Sequence, residues 1–116
     1  MPSARRTEKL NNLLREEISR ILDREIEFPE QTLATVTRVR ISQDGLYATV
    51  FFTTLNESGE DIQNMLDEHV YDIQHILNRR MNMRPVPKIR FVFDTEEMRR
   101  EQVEKSIAEI KKKGEI

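Results

Sequence analysis

The sequence predicts an α+β sandwich in which one three-stranded sheet carries helices on one face, in the order α-β-β-α-β-α. Three observations carry that expectation. Apolar residues recur at helical spacing in two long segments, three short segments alternate apolar with polar, and Asp44-Gly45 falls between the first two alternating segments. Asp-Gly is a strong hairpin signal because both residues tolerate positive φ. A chain of 116 residues suits one domain, with a core spanning about 7–94.

The first helix is predicted over Thr7 to Glu25 from Leu10, Leu13, Leu14, Ile18, Ile21 and Leu22, and Pro29 ends it. "TVTRVRI" and "LYATVFFT" read as half-buried strands. A two-residue Asp44-Gly45 loop would pair Gln43 with Leu46, Ile41 with Ala48, Val39 with Val50 and Thr37 with Phe52, all on one buried face. Arg38, Arg40, Tyr47, Thr49 and Phe51 would then share the opposite face.

Ser58 and Asp61 resemble a capping box, and Ile62, Met65, Leu66, Val70, Ile73, Leu77 and Met81 continue a second helix until Pro85 and Pro87. "KIRFVF" is the third strand, with Ile89, Phe91 and Phe93 inward and Lys88 and Arg90 outward. A charged last helix is expected from Thr95 to Lys112, followed by a frayed end. If the third strand lies beside and parallel to the first, the sheet order is 3-1-2. Arg38 and Arg40 then neighbour Lys88 and Arg90, a repulsive arrangement unless an anion or the Glu-rich last helix (Glu96, Glu97, Glu101, Glu104) covers it.

Charge is balanced in total and segregated along the chain. Lys and Arg number 19 against 21 Asp and Glu, a net charge of -2. Six carboxylates lie between Glu57 and Asp72 with no Lys or Arg, and five cations (Arg79, Arg80, Arg84, Lys88, Arg90) follow with no acid among them. The helix macrodipole accounts for Arg79 and Arg80 near a C-terminus. It does not account for Arg84, Lys88 and Arg90 beyond it. Arg5, Arg6 and Lys9 stand near a helix N-terminus, where the dipole disfavours cations. Arg38 and Arg40, with Tyr47 and Phe51, put charge and stackable rings on one sheet face, a mixture RNA-binding sheets use. All ten are candidate RNA contacts: in the eight arginines a guanidinium grips phosphate bidentately and keeps its charge, and Lys9 and Lys88 add point charges.

The same residues argue against catalysis. His69, Asp72 and His75 drift around a helix rather than sharing a face, unlike the i,i+4 histidines of helical zinc sites. No Gly-rich phosphate loop, Ser/His/Asp arrangement or convergent acid pair is present, and Glu16-Glu17 and Glu96-Glu97 read as helix surface. No enzyme, cofactor or metal is expected. The absence of cysteine fits a reducing, cytoplasmic setting. No apolar h-region and no long apolar run occur, so no membrane partner is expected. With no unpaired apolar surface evident, the expectation is a monomer.

Two stretches resemble the ribosome-binding factor A family of bacteria and plastids. "VTRVRISQDGLYATV" follows its pattern of Val-Thr, Ser-x-Asp and Ala-x-Val, and "ILNRRMNMRPVPKIRFVFD" follows its helix end, proline and Phe-containing strand. The likeness runs from Lys9 to Asp94. The first helix also ends in a proline at the family's expected place, Pro29, but the chain departs from the family's usual residues at Phe28 and Glu30 beside it, at Gly45 and at Lys88. It also reads His69-Val70-Tyr71 where the family interrupts its second helix with Ala-x-Gly. The resemblance implies a K-homology-like fold of the second type without the Gly-x-x-Gly loop, and a helix-break region at His69-Val70-Tyr71. It also implies binding to the small ribosomal subunit precursor and its ribosomal RNA, and a role in maturing that RNA, 5′ end included, by binding rather than catalysis. A rival reading is a protein-interaction module docking through the Glu-rich last helix.

Overall fold

A computed structural model of the chain describes residues 4–55 and 58–95. The elements run α1 (Ala4–Glu25), β1 (Leu33–Ile41), β2 (Tyr47–Leu55), α2 (Gly59–Arg80) and β3 (Lys88–Phe93). The helix expected from Thr95 to Lys112 lies outside the described residues, apart from Thr95 itself. Both helices pack on the inner face of the sheet: α1 chiefly against β1, α2 chiefly against β3, and each against the other.

The sheet order is β1-β2-β3, with β1 and β2 antiparallel and β2 and β3 parallel. This corrects the expected 3-1-2 order. The helical crossover returns the chain beside the strand it has just left, the short connection that sheets favour. Burial agrees with a central β2. Its inward residues Ala48, Val50 and Phe52 are all 0% exposed, whereas Ala34, Val36, Val39, Ile89 and Phe91 on the flanking strands retain slight exposure. Leu14, Ile18, Ile21 and Leu22 of α1 and Ile62, Leu66, Ile73 and Leu77 of α2 close the core. Each such side chain contributes roughly 1.5–3 kcal/mol through apolar burial.

The hairpin keeps the expected register at Ile41–Ala48 and Val39–Val50 but not at Thr37. Val36 pairs with Phe52 and Arg38 with Phe51, leaving Thr37 as the extra residue of a β-bulge. A bulge sets two residues opposite one and turns the strand. Val36 thereby faces the core, and Thr37 joins Arg38 on the outer face. The turn also differs. Ser42 and Tyr47 form the last bonded pair (Ser42 N to Tyr47 O, 2.8 Å), and Gly45 N closes on Ser42 O at 2.9 Å. Gly45 stands at φ 76°, where glycine carries no steric penalty. Gln43 and Leu46 therefore do not pair across a two-residue loop.

The second helix is uninterrupted from Gly59 to Arg80, which corrects the break implied at His69-Val70-Tyr71. No glycine or proline occupies that region to release a backbone bond. Val70 packs against the core while Tyr71 is 80% exposed, so one amphipathic face continues through the triplet. Ser58 caps the helix by accepting from Asp61 N at 3.1 Å. Glu60 and Asp61 in its first turn and Arg79 and Arg80 in its last complement the macrodipole.

Two glutamines of α2 complete the outer edge of β3. Gln74 accepts from Ile89 N (2.8 Å) and donates to Pro87 O (3.1 Å). Gln63 accepts from Phe93 N (3.2 Å) and donates to Phe91 O (2.6 Å). Each side-chain amide thus stands in for a peptide of a fourth strand. An edge closed this way cannot template pairing with another chain.

Candidate nucleic-acid interface

Strand pairing sets the outer sheet face in rows. Arg40, Thr49 and Arg90 form one row, Tyr47 and Lys88 a second, and Arg38, Phe51 and Val92 a third. The cations of β1 and β3 do share this face, but β2 separates them. Two interstrand spacings put the Arg40 and Arg90 backbones about 10 Å apart, which relieves the direct repulsion expected of neighbouring strands.

The rows differ in what their cations do. Arg38 Cζ lies 4.1 Å from the Phe51 ring centroid, and Arg38 Nε lies 3.5 Å from Asp94 Oδ2. The Asp94 side chain is 4% exposed, and Thr37 Oγ1 donates to the same carboxylate oxygen at 2.6 Å. Arg38 is therefore committed to an internal cluster formed with the bulge and the end of β3. Arg90 Nε donates to Thr49 Oγ1 at 3.2 Å, which orients its head over the central strand. Among the described residues, Arg40, Lys88 and Arg90 form no ion pair, and all are exposed. Arg40, Ser42, Tyr47, Thr49 and Arg90 line an open depression of about 530 Å³.

The remaining cations occupy other places. Arg5, Arg6 and Lys9 lie in the first turns of α1, where no acidic residue of the first turn opposes them. Arg6 lines a second depression of about 420 Å³ with Thr7, Leu10, Ile41, Ser42 and Gly45. Ser42, at the hairpin turn, borders both depressions. Asn11 Oδ1 accepts from Ile41 N at 3.3 Å and fixes α1 against this end of the sheet.

In the helical layer, Arg79 and Arg80 end α2. Arg80 Nη1 pairs with Glu17 Oε1 at 3.1 Å, and Arg20 holds Glu17 Oε2 at 3.2 Å. Glu17, with its side chain 15% exposed, is thus a bridge between α1 and α2 and not the plain helix surface expected of it. Arg84 Nη1 donates to Met81 O (3.1 Å) and Met83 O (2.8 Å), bracing the loop that leaves α2. The run from Arg79 to Arg90 is therefore not one patch. Its helix-end arginines stay on the helical layer, and Lys88 and Arg90 alternate onto the outer sheet face.

Gln63, Gln74 and Asp94 matter to this arrangement but carry little signal in the sequence. The glutamines stand about three helical turns apart beside the apolar stripe, and Asp94 follows the last strand, but only the sheet order reveals what each would meet. No group of three or more His, Asp or Glu side chains able to hold a metal occurs among the described residues. No helix among them is long and apolar enough to cross a membrane.

Two helices on one face of a β1-β2-β3 mixed sheet, with a cationic outer face, define a small K-homology-like α+β protein. The sequence model of the family described as Ribosome-binding factor A matches residues 6–107. The chain belongs to the ribosome-binding factor A family. It is 34% identical over 92 residues to ribosome-binding factor A of Vibrio campbellii, covering 77% of this chain and 68% of that protein. The crystal structure of ribosome-binding factor A from Thermus thermophilus superposes with a TM-score of 0.68 at 26% identity, covering 75% of this chain and 93% of that one. A Thermus thermophilus ribosome-binding factor A homology model, fitted into the cryo-EM map of a complex with the 30S subunit, matches with a TM-score of 0.63 at 26% identity. That match covers 72% of this chain and 89% of the other.

Proposed function

We propose that this chain is a ribosome assembly factor that binds the immature small ribosomal subunit and assists maturation of its RNA, including the 5′ end. The observation that carries the reading is the family match over residues 6–107. The Thermus relative fitted into a 30S complex supports the same partner. The chain acts by binding, as a monomer in the cytoplasm, and nucleases perform any cleavage.

Phosphate neutralisation supplies most of the affinity, and subunit shape selects the site. The contacts come from the outer-face cations Arg40, Lys88 and Arg90, from Arg5, Arg6 and Lys9, and from Arg79, which is exposed at the end of α2. Arg38, Arg80 and Arg84 hold protein acceptors and contribute less.

Sedimentation of the full chain with ribosomal fractions at two salt concentrations tests this. Co-migration with small subunits at low salt, weakening steeply as salt rises, is the expected result. A chain that remains at the top of the gradient at both concentrations defeats the proposal.

A further inference from the structure

The depression on the outer sheet face has the parts of a single-nucleotide seat. Tyr47 is 57% exposed on β2 and lines the hollow beside the cations. Arg40 and Arg90 flank Thr49 from opposite strands and border the same hollow of about 530 Å³. The Arg90 head is already oriented by its Nε bond to Thr49 Oγ1 (3.2 Å). Lys88, paired with Tyr47, adds charge at the next row. The adjoining Arg38 row supplies none of this, because its guanidinium lies on Phe51 and against Asp94.

We infer that this hollow seats one nucleotide of single-stranded RNA, with its phosphate held between Arg40 and Arg90 and its base stacked on Tyr47. The inference rests on the ribosomal reading and narrows it to an unpaired stretch of RNA. Charge complementarity selects the polyanion. Cations whose backbones stand about 10 Å apart can converge on one phosphate with their long side chains, leaving the base to the neighbouring row of Tyr47. The open ring selects an unpaired base over a duplex, since the bases of an A-form helix are stacked on one another and cannot reach a side-chain ring. The Ser42 hydroxyl is taken, donating to Asp44 and accepting from Tyr47 N, whereas the Thr49 hydroxyl accepts from Arg90 and keeps its hydrogen to donate to a 2′-OH or base edge.

The test uses the full chain and labelled oligouridine of about ten nucleotides, followed by fluorescence anisotropy, with a duplex RNA of equal length as comparison. Tyr47→Ala weakens oligouridine binding roughly tenfold, and Tyr47→Phe, which keeps the ring, binds like the wild type. Arg40→Gln with Arg90→Gln lowers the slope of log affinity against log salt by about 0.7 for the phosphate released. The thermal melts of these variants match the wild type, because none of these side chains enters the core.

Oligouridine binding indifferent to Tyr47→Ala and to the paired Arg40→Gln and Arg90→Gln changes overturns the inference. So does a duplex that binds as tightly and loses as much with Tyr47→Ala, or full competition by an acidic peptide, which would mark the hollow as a protein site. Small-subunit co-sedimentation is read in parallel. If it persists while oligouridine binding ignores these variants, the nucleotide seat fails and the ribosomal reading stands. If the wild type does not co-sediment, the ribosomal reading itself fails.

Discussion

Arg38 Nε stands 3.5 Å from Asp94 Oδ2, and the two residues come from opposite edges of the sheet. The bulge at Thr37 makes this contact available by placing Thr37 and Arg38 together on the outer face. Asp94 is 3% exposed and so depends on its partners for solvation. Asp94→Ala should lower unfolding stability by about 2 kcal/mol in urea titration. The Arg38 Nε that faces it is buried, while the rest of that side chain is 38% exposed, so water makes up only part of the lost pairing. A cycle with Arg38→Ala should show a positive coupling of about 1 kcal/mol. Strict additivity would mean the pair is incidental.

Gln63 and Gln74 offer a sharper test of how α2 holds β3. Each makes an acceptor and a donor bond to the strand edge. Gln74→Ala should lower stability by about 2 kcal/mol for its two net hydrogen bonds to the strand, the third, to Asn78, being exposed, and hydrogen exchange at Ile89 should quicken by more than at residues of β2. Gln74→Glu distinguishes the two bonds. A carboxylate still accepts from Ile89 N but repels Pro87 O, so this variant should be no more stable than Gln74→Ala despite its similar shape.

Among the described residues, element boundaries were nearly all legible in the sequence, because each strand and helix there follows its own local rule. The stripe from Ile62 to Met81 predicted an unbroken α2 better than the family's usual interruption did, since nothing at His69-Val70-Tyr71 weakens a helix. Two features were not legible for physical reasons. The bulge is signalled only by Val36 and Val39 standing three apart, and alternation through Thr37 reads equally well until Phe51 and Phe52 are placed opposite. The order of strands is a tertiary property: inward alternation in β3 is the same whether it lies beside β1 or β2. That misplacement carried into the site. Alternation foresaw the cations of both strands on one face, but not that Arg38 would be taken by Asp94 while Arg40 and Arg90 stayed open around Thr49.

Gly59 is required by contact rather than by backbone conformation. A Cβ there would stand 2.6 Å from Cδ2 and Cε2 of Phe93. The ring cannot easily withdraw, because it packs edge-to-face on Phe52 with centroids 5.6 Å apart. Alanine at the start of α2 gains at most about 1 kcal/mol of helix propensity. Overpacking costs about 1–3 kcal/mol, so Gly59→Ala should be net destabilising. Phe93→Leu in that background should reduce the loss, and thermal melts of the single and double variants check it.

Asp44 gives the hairpin an acid-sensitive turn. Its Oδ1 accepts from Ser42 Oγ (2.6 Å) and from Leu46 N (3.0 Å). The Ser42 hydroxyl first, then the Leu46 amide, hold the carboxyl below the ordinary aspartate value. A carboxylate whose folded-state value lies below its unfolded one stabilises fully above the unfolded value, and loses that contribution as pH falls through the folded one. Asp44 thus favours the turn at neutral pH and ceases to do so only in strong acid. Asp44→Asn preserves an acceptor oxygen but not the charge. Its melting temperature should fall below the wild type's at neutral pH, and the gap should close on acidification below the ordinary aspartate range. A gap that widened in acid would mean that Asp44 is repelled in the folded turn, and the bonds to Ser42 and Leu46 could not then be what shapes it.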